Sequence, residues 1–184
     1  MPLSSFLLLD ANVVIYLFKC GAWTKLVEKV KLQIARTVMN EAHFYETDSG
    51  ERVDFDLAEF ERSGAIEVVE VAIPELQAFL LQFDASYVEK LDPGEAESLT
   101  YLLAATEETH VCSADGIVFR VLGNLDRGEQ GLSLEEVLQS VGLGRKVPSQ
   151  FSQKFRTNYN AKGVEERLQG RGAKPPERGR SRKH

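Results

Sequence analysis

At 184 residues the chain is long enough for one domain with an appended segment, and 43% hydrophobic residues suffice for an ordinary core. Two cysteines, Cys20 and Cys112, are too few for a disulfide framework or a Cys-rich zinc module, and both sit in apolar surroundings suited to a reducing cytosol. The net charge of −6 is unevenly divided: residues 145–184 hold 12 Lys and Arg against 3 Asp and Glu, and residues 1–144 hold 10 against 25. An acidic body that repels nucleic acid is thus followed by a basic stretch that attracts it. The longest apolar run is broken by Asp10 and Asn12, so it is too short for a membrane span, and no basic leader with a cleavage site is visible. A soluble, cytoplasmic protein with no membrane contact is expected.

In chain order, residues 6–9 (Phe-Leu-Leu-Leu) form a continuous apolar run, the pattern of a short strand buried on both faces. Asp10 follows at once, and a second apolar run over 12–20 reads as a helix stopped by Gly21. Helical spacing resumes at Trp23, Leu26, Val27 and Val30, and residues 32–35 read as a second strand. Thr37 is a fair cap for a helix reaching about residue 46, with Val38, Ala42 and Tyr45 on its inner stripe and Glu41 at the stripe's edge. Residues 47–56 are polar and read as a loop, 57–63 as a short helix, and 65–71 as a third strand. Pro74 opens a helix through residue 83, and Asp92-Pro93-Gly94 reads as a turn. A strong helix is predicted over 95–108, a fourth strand over 110–113 and a helix over 117–125. Ser133, with Glu136 in the capping-box position, starts a final helix over 134–141. Alternating strands and helices predict an α/β fold with a mainly parallel sheet. The domain is expected over residues 4–143. Residues 144–184 read as a basic, largely disordered tail, the stretch from about Gly163 especially.

Parallel α/β sheets gather ligands outside the carboxyl ends of their strands. Asp10 ends the first strand, Glu41 lies on the helix after the second, and Asp115 ends the fourth. Glu95 joins them if its helix runs back across the sheet. Glu95 and Glu97 stand about 200° apart on a helix. Glu95 shares the face of Leu99 and Leu102, whereas Glu97 aligns with Tyr101 on the outer face, so Glu95 is the site candidate. A meeting of Asp10, Glu41, Glu95 and Asp115 would demand positive charge. No Lys or Arg is adjacent to them in sequence and no His/Cys cluster suggests zinc. An all-oxygen site suits Mg²⁺ or Mn²⁺, and metals so held activate water for phosphodiester cleavage. The bland alternative is a set of unrelated surface and capping acids, with Asp10 or Asn12 simply capping the next helix.

The runs Leu-Leu-Leu-Asp-Ala-Asn-Val-Val-Ile-Tyr-Leu, Val-Met-Asn-Glu-Ala, Leu-Asp-Pro-Gly-Glu-Ala-Glu and Cys-Ser-Ala-Asp-Gly, in this order, resemble the four acidic motifs of PIN domains. The resemblance spans about residues 4–143. It implies a three-layer α/β/α sandwich and a Mg²⁺/Mn²⁺-dependent ribonuclease acting on single-stranded RNA. By position it makes Asp10, Glu41, Glu95 and Asp115 the catalytic, metal-binding acids, with Asn12 and Ser113 as polar supports. Many members of the family are VapC-type toxins, which implies an antitoxin partner and a homodimer. The Gly-Glu-Ala-Glu form departs from the commonest toxins and resembles a less characterised subgroup. A haloacid-dehalogenase-like phosphotransferase would need a second Asp where Asn12 stands. The alternative from another class is a non-catalytic PIN-like module that binds RNA or protein.

Overall fold

The structure, a computed structural model, describes residues 5–174. Strand β1 (Phe6–Leu9) leads into α1 (Ala11–Lys19) and α2 (Trp23–Val27), and β2 (Lys31–Ala35) into α3 (Arg36–Glu41). A hairpin of β3 (Phe44–Glu46) and β4 (Arg52–Asp54) follows, then α4 (Leu57–Arg62), β5 (Ile66–Val69), α5 (Ile73–Leu81) and α6 (Ala85–Val88). The chain continues through α7 (Pro93–Ala104), β6 (Thr109–Cys112), α8 (Gly116–Asn124), β7 (Gly131–Leu132), α9 (Leu134–Ser140) and α10 (Gln153–Leu168).

The main sheet is all parallel, in the order β5-β2-β1-β6-β7, and its flanking helices make a three-layer α/β/α arrangement as expected. Burial on both faces explains the unbroken apolar run of β1, where Leu7, Leu8 and Leu9 are fully buried. Leu9 pairs in register with Ile34 on one side and Cys112 on the other, so β1, β2 and β6 end level. From β1 the chain proceeds to β2 and β5 on one side, and β6 and β7 lie on the other. The crevice where the order reverses is therefore at the end of β1, beside Asp10.

Three expectations are corrected. The helix expected to residue 46 stops at Glu41, because Ala42 is extended and Phe44 to Glu46 pair antiparallel with Arg52 to Asp54. Three residues of the expected loop are thus the second strand of a hairpin, turned by Gly50 at φ +81° and fastened by the Arg52 guanidinium 4.0 Å over the Phe44 ring. The helix expected over 95–108 runs from Pro93 to Ala104, with Asp92 as its cap rather than part of a separate turn.

The third correction concerns the expected tail. Residues 144–174 are ordered, and α10 lies along α8. Two glycines permit the close approach. A Cβ at Gly163 would lie 2.1 Å from the Arg120 carbonyl oxygen, and one at Gly123 would lie 2.2 Å from the Asn160 carbonyl oxygen. Ion pairs then join the helix to the body. Arg156 binds both oxygens of Glu136 at 2.8 and 2.9 Å, Arg167 meets Asp126 at 3.0 Å, and Glu166 accepts from Arg120 at 2.6 and 3.2 Å. Glu166 also accepts from the Tyr87 hydroxyl, and Asn124 donates to the carbonyl of Arg171 at 2.8 Å. The basic composition that suggested disorder is partly matched by the body's acids. Residues 175–184, the remainder of the expected tail, lie outside the described residues. No helix among the described residues is long and apolar enough to cross a membrane.

Candidate functional site

The acids are positioned by helix starts. Asp10 caps α1, its Oδ1 accepting from the Val13 amide at 2.7 Å. Asp115 caps α8 by accepting from the Ile117 amide at 2.9 Å. Asp92 caps α7 by accepting from the Glu95 amide at 2.7 Å, and the Glu95 carboxylate accepts in return from the Asp92 amide at 3.0 Å. Three helix N-termini, α1, α7 and α8, thus turn their positive ends toward one group of carboxylates, which partly offsets the crowding of negative charge.

Asp10 and Glu95 are the deep members, each 5% exposed, whereas Asp92, Asp115 and Glu41 are exposed at the mouth. Asp10 is the most heavily bonded. Its Oδ2 accepts from the Ser113 hydroxyl and, at 2.8 Å, from the Ala114 amide. Ser113 in turn accepts from the Asp115 amide at 2.9 Å, so one hydroxyl ties the ends of β1 and β6 together. This is the supporting place expected for Ser113. Asn12 is exposed, and the cap of α1 is Asp10 instead. Glu41, the last residue of α3, reaches the same region: a Cβ at Gly94 would lie 3.5 Å from both a Glu41 oxygen and an Asp92 oxygen.

Burial and like charge act together on these groups. Desolvation pushes the Glu95 carboxyl up to about 8, reinforced by the charges of Asp92, Asp115 and Asp10. Burial also raises Asp10, with its hydrogen bonds from Ser113, Val13 and Ala114 working against the rise. Glu41 is raised by desolvation and then by Asp92. Among the described residues, no ion pair to Lys or Arg involves any of these five acids.

The four acids singled out from the sequence are therefore brought to one crevice, and a fifth, Asp92, joins them. Its signal was present in Asp-Pro-Gly-Glu, which carries an N-cap, a Pro in the first turn and a Glu at the capping-box position. Glu97 is not on the outer face. It is 8% exposed and accepts from the Thr37 amide at 2.8 Å, satisfying a first-turn donor of α3. Every residue from Gly94 to Thr100 is buried, so α7 has no outer face in its first two turns.

The donor set suits a hard divalent cation in kind, since Asp92, Glu95 and Asp115 each direct one oxygen to a cap and retain the other. The shell is not closed: among the described residues, no three His, Cys, Asp or Glu side chains stand ready to hold a metal ion together. No family model matches the chain, and no curated protein matches it.

Proposed function

We propose that this protein is a metal-dependent endoribonuclease acting on single-stranded RNA, with the carboxylates at the ends of β1 and β6 and at the start of α7 as its centre. The observation that supports this most is Glu95, a buried carboxyl held near pKa 8 among three other acids, none of them ion-paired among the described residues. Structural carboxylates buried for stability are ordinarily paired with a cation, and perturbed carboxyls in a crevice are a mark of functional sites. The resemblance of the four acidic runs to PIN domains points the same way.

In this reading Asp92, Glu95 and Asp115 would hold Mg²⁺ or Mn²⁺ through their uncapped oxygens, with Glu41 exposed beside Asp92. A bound divalent ion supplies a lowered pKa for water and neutralises charge on the phosphodiester. The chain's own groups divide the remaining work. Asp10, fixed by three hydrogen bonds, orients Ser113 and through it the Asp115 backbone. Glu95 keeps one oxygen fixed on the Asp92 amide, which sets the orientation of the other.

A second reading, a non-catalytic module that binds RNA or protein, is favoured by one observation. Asp10, Asp92 and Asp115 cap helices, so folding alone accounts for three of the five acids. The deciding experiment is cleavage of labelled single-stranded RNA with Mg²⁺ or Mn²⁺ by wild type and Asp115→Asn. Asparagine caps as well as aspartate, so this variant removes charge and keeps α8, whereas Asn at position 10 would face an amide donor and a hydroxyl. Ion-dependent cleavage should fall by about 100-fold or more in the variant. Absence of cleavage by wild type, with no ion bound in calorimetry, would replace the nuclease by the module.

A further inference from the structure

α10 lies beyond the stretch that carries the acidic motifs, yet it packs against Gly116, the first residue of α8. The Tyr159 ring lies flat against Gly116, the residue after Asp115: a Cβ there would meet three ring carbons at 2.4 to 2.6 Å. Phe155 fixes the ring from behind, centroids 4.6 Å apart, and itself meets Phe119 edge-on at 6.4 Å. The Lys162 ammonium sits 4.6 Å from the Tyr159 centroid, one turn further along the helix. Arg156 and Arg167 of the same helix are taken by Glu136 and Asp126. Lys162 is exposed and, among the described residues, is paired with no carboxylate.

We propose that Lys162, held on the Tyr159 ring that covers Gly116, the residue after Asp115, is a positioning residue that takes a backbone phosphate of the single-stranded RNA near the bond being cut. This rests on the ribonuclease reading above and adds to it the element that brings the substrate in. A polyanion approaching a group of carboxylates is repelled, and a cation held near them offsets that repulsion. The ring restricts the lysine before RNA arrives, which lowers the ordering cost of the contact. The arginines of α10 do not supply this, because both, Arg156 and Arg167, are already neutralised within the fold.

The test compares wild type, Lys162→Gln and Lys154→Gln, the last an exposed lysine on the same helix. Equilibrium binding of a labelled single-stranded RNA is measured over a salt series, together with kcat and KM for its cleavage. Lys162→Gln should weaken binding about three- to tenfold and reduce the slope of log K against log salt by about 0.7, the value for one phosphate on a single strand. KM should rise with kcat nearly unchanged, and Lys154→Gln should match wild type. Equal binding and slope for Lys162→Gln and wild type would overturn the proposal, as would an equal loss in both variants. If wild type cuts no RNA, the ribonuclease reading fails by itself. The binding slopes then still decide whether Lys162 contacts phosphate.

Discussion

Replacing Glu95 by Gln should stabilise the ion-free protein, and by an amount that depends on pH. Gln keeps the volume and an acceptor for the Asp92 amide, which Glu95 meets at 3.0 Å. The acid's pKa rises from 4.5 to about 8 on folding. A carboxyl whose pKa is raised in the folded state contributes fully below pH 4.5 and progressively loses that contribution as pH rises through 8, because the unfolded chain ionises first. The side chain is 5% exposed, so solvent screening removes little of the effect. At about 1.4 kcal/mol per pH unit, the wild type is penalised by less than about 1 kcal/mol at pH 5, roughly 3 at pH 7 and roughly 5 well above pH 8. For a chain of this length that is a gain for Glu95→Gln of roughly 6–12 °C in Tm at pH 7. The assay is thermal or urea unfolding of both proteins in chelator from pH 5 to 9, repeated with Mn²⁺. Added ion should raise the wild type toward the variant, since ligand bound to the folded state stabilises it. A Glu95→Gln protein less stable than wild type at pH 8, or a difference between the two that is flat with pH, would refute the account of this carboxyl.

Two other substitutions separate packing from the site. Gly163→Ala places a Cβ 2.1 Å from the Arg120 carbonyl oxygen, backbone that cannot move aside without parting α10 from α8. A loss of about 3 kcal/mol is expected in urea unfolding, and a neutral result would mean that the two helices are not in such close contact. Glu97→Ala strands the Thr37 amide and should cost about 1–3 kcal/mol. Its stabilisation by Mn²⁺, read from Tm with and without ion, should equal that of wild type; a loss of the ion response would put Glu97 back in the site.

The parallel sheet was legible because a strand buried on both faces writes itself as an apolar run, as Phe6 to Leu9 do. The acids were legible for a related reason, since level strand ends leave few places for Asp10 and Asp115 to go. Glu95 was separated from Glu97 by helical angle, and Glu95 does lie buried near Asp10, Asp92 and Asp115. The placing of Glu97 on an outer face fails because an angle tells which way a residue points and not what lies there, and in the first turns of α7 neighbours lie on every side. The hairpin was missed because Tyr45 continues the helical stripe of Val38 and Ala42, and only pairing with residues 52–54 overrides it. α10 was missed because Arg156 and Arg167 look solvated until their partners, Glu136 and Asp126, are known. Both misses come from contacts distant in sequence.

The double duty of the capping acids bears on how descendants of this chain would age. Folding alone requires a capping side chain at 92 and 115 to start α7 and α8, and Asp, Asn, Ser or Thr would serve there, whereas Asp10 accepts three hydrogen bonds through both oxygens. Glu41 has no such protection. It stands exposed at the end of α3, and among the described residues no hydrogen bond is made by its carboxylate. Under the ribonuclease reading, an acid at a capping position therefore says less about activity than the acid at position 41, which folding leaves free to change.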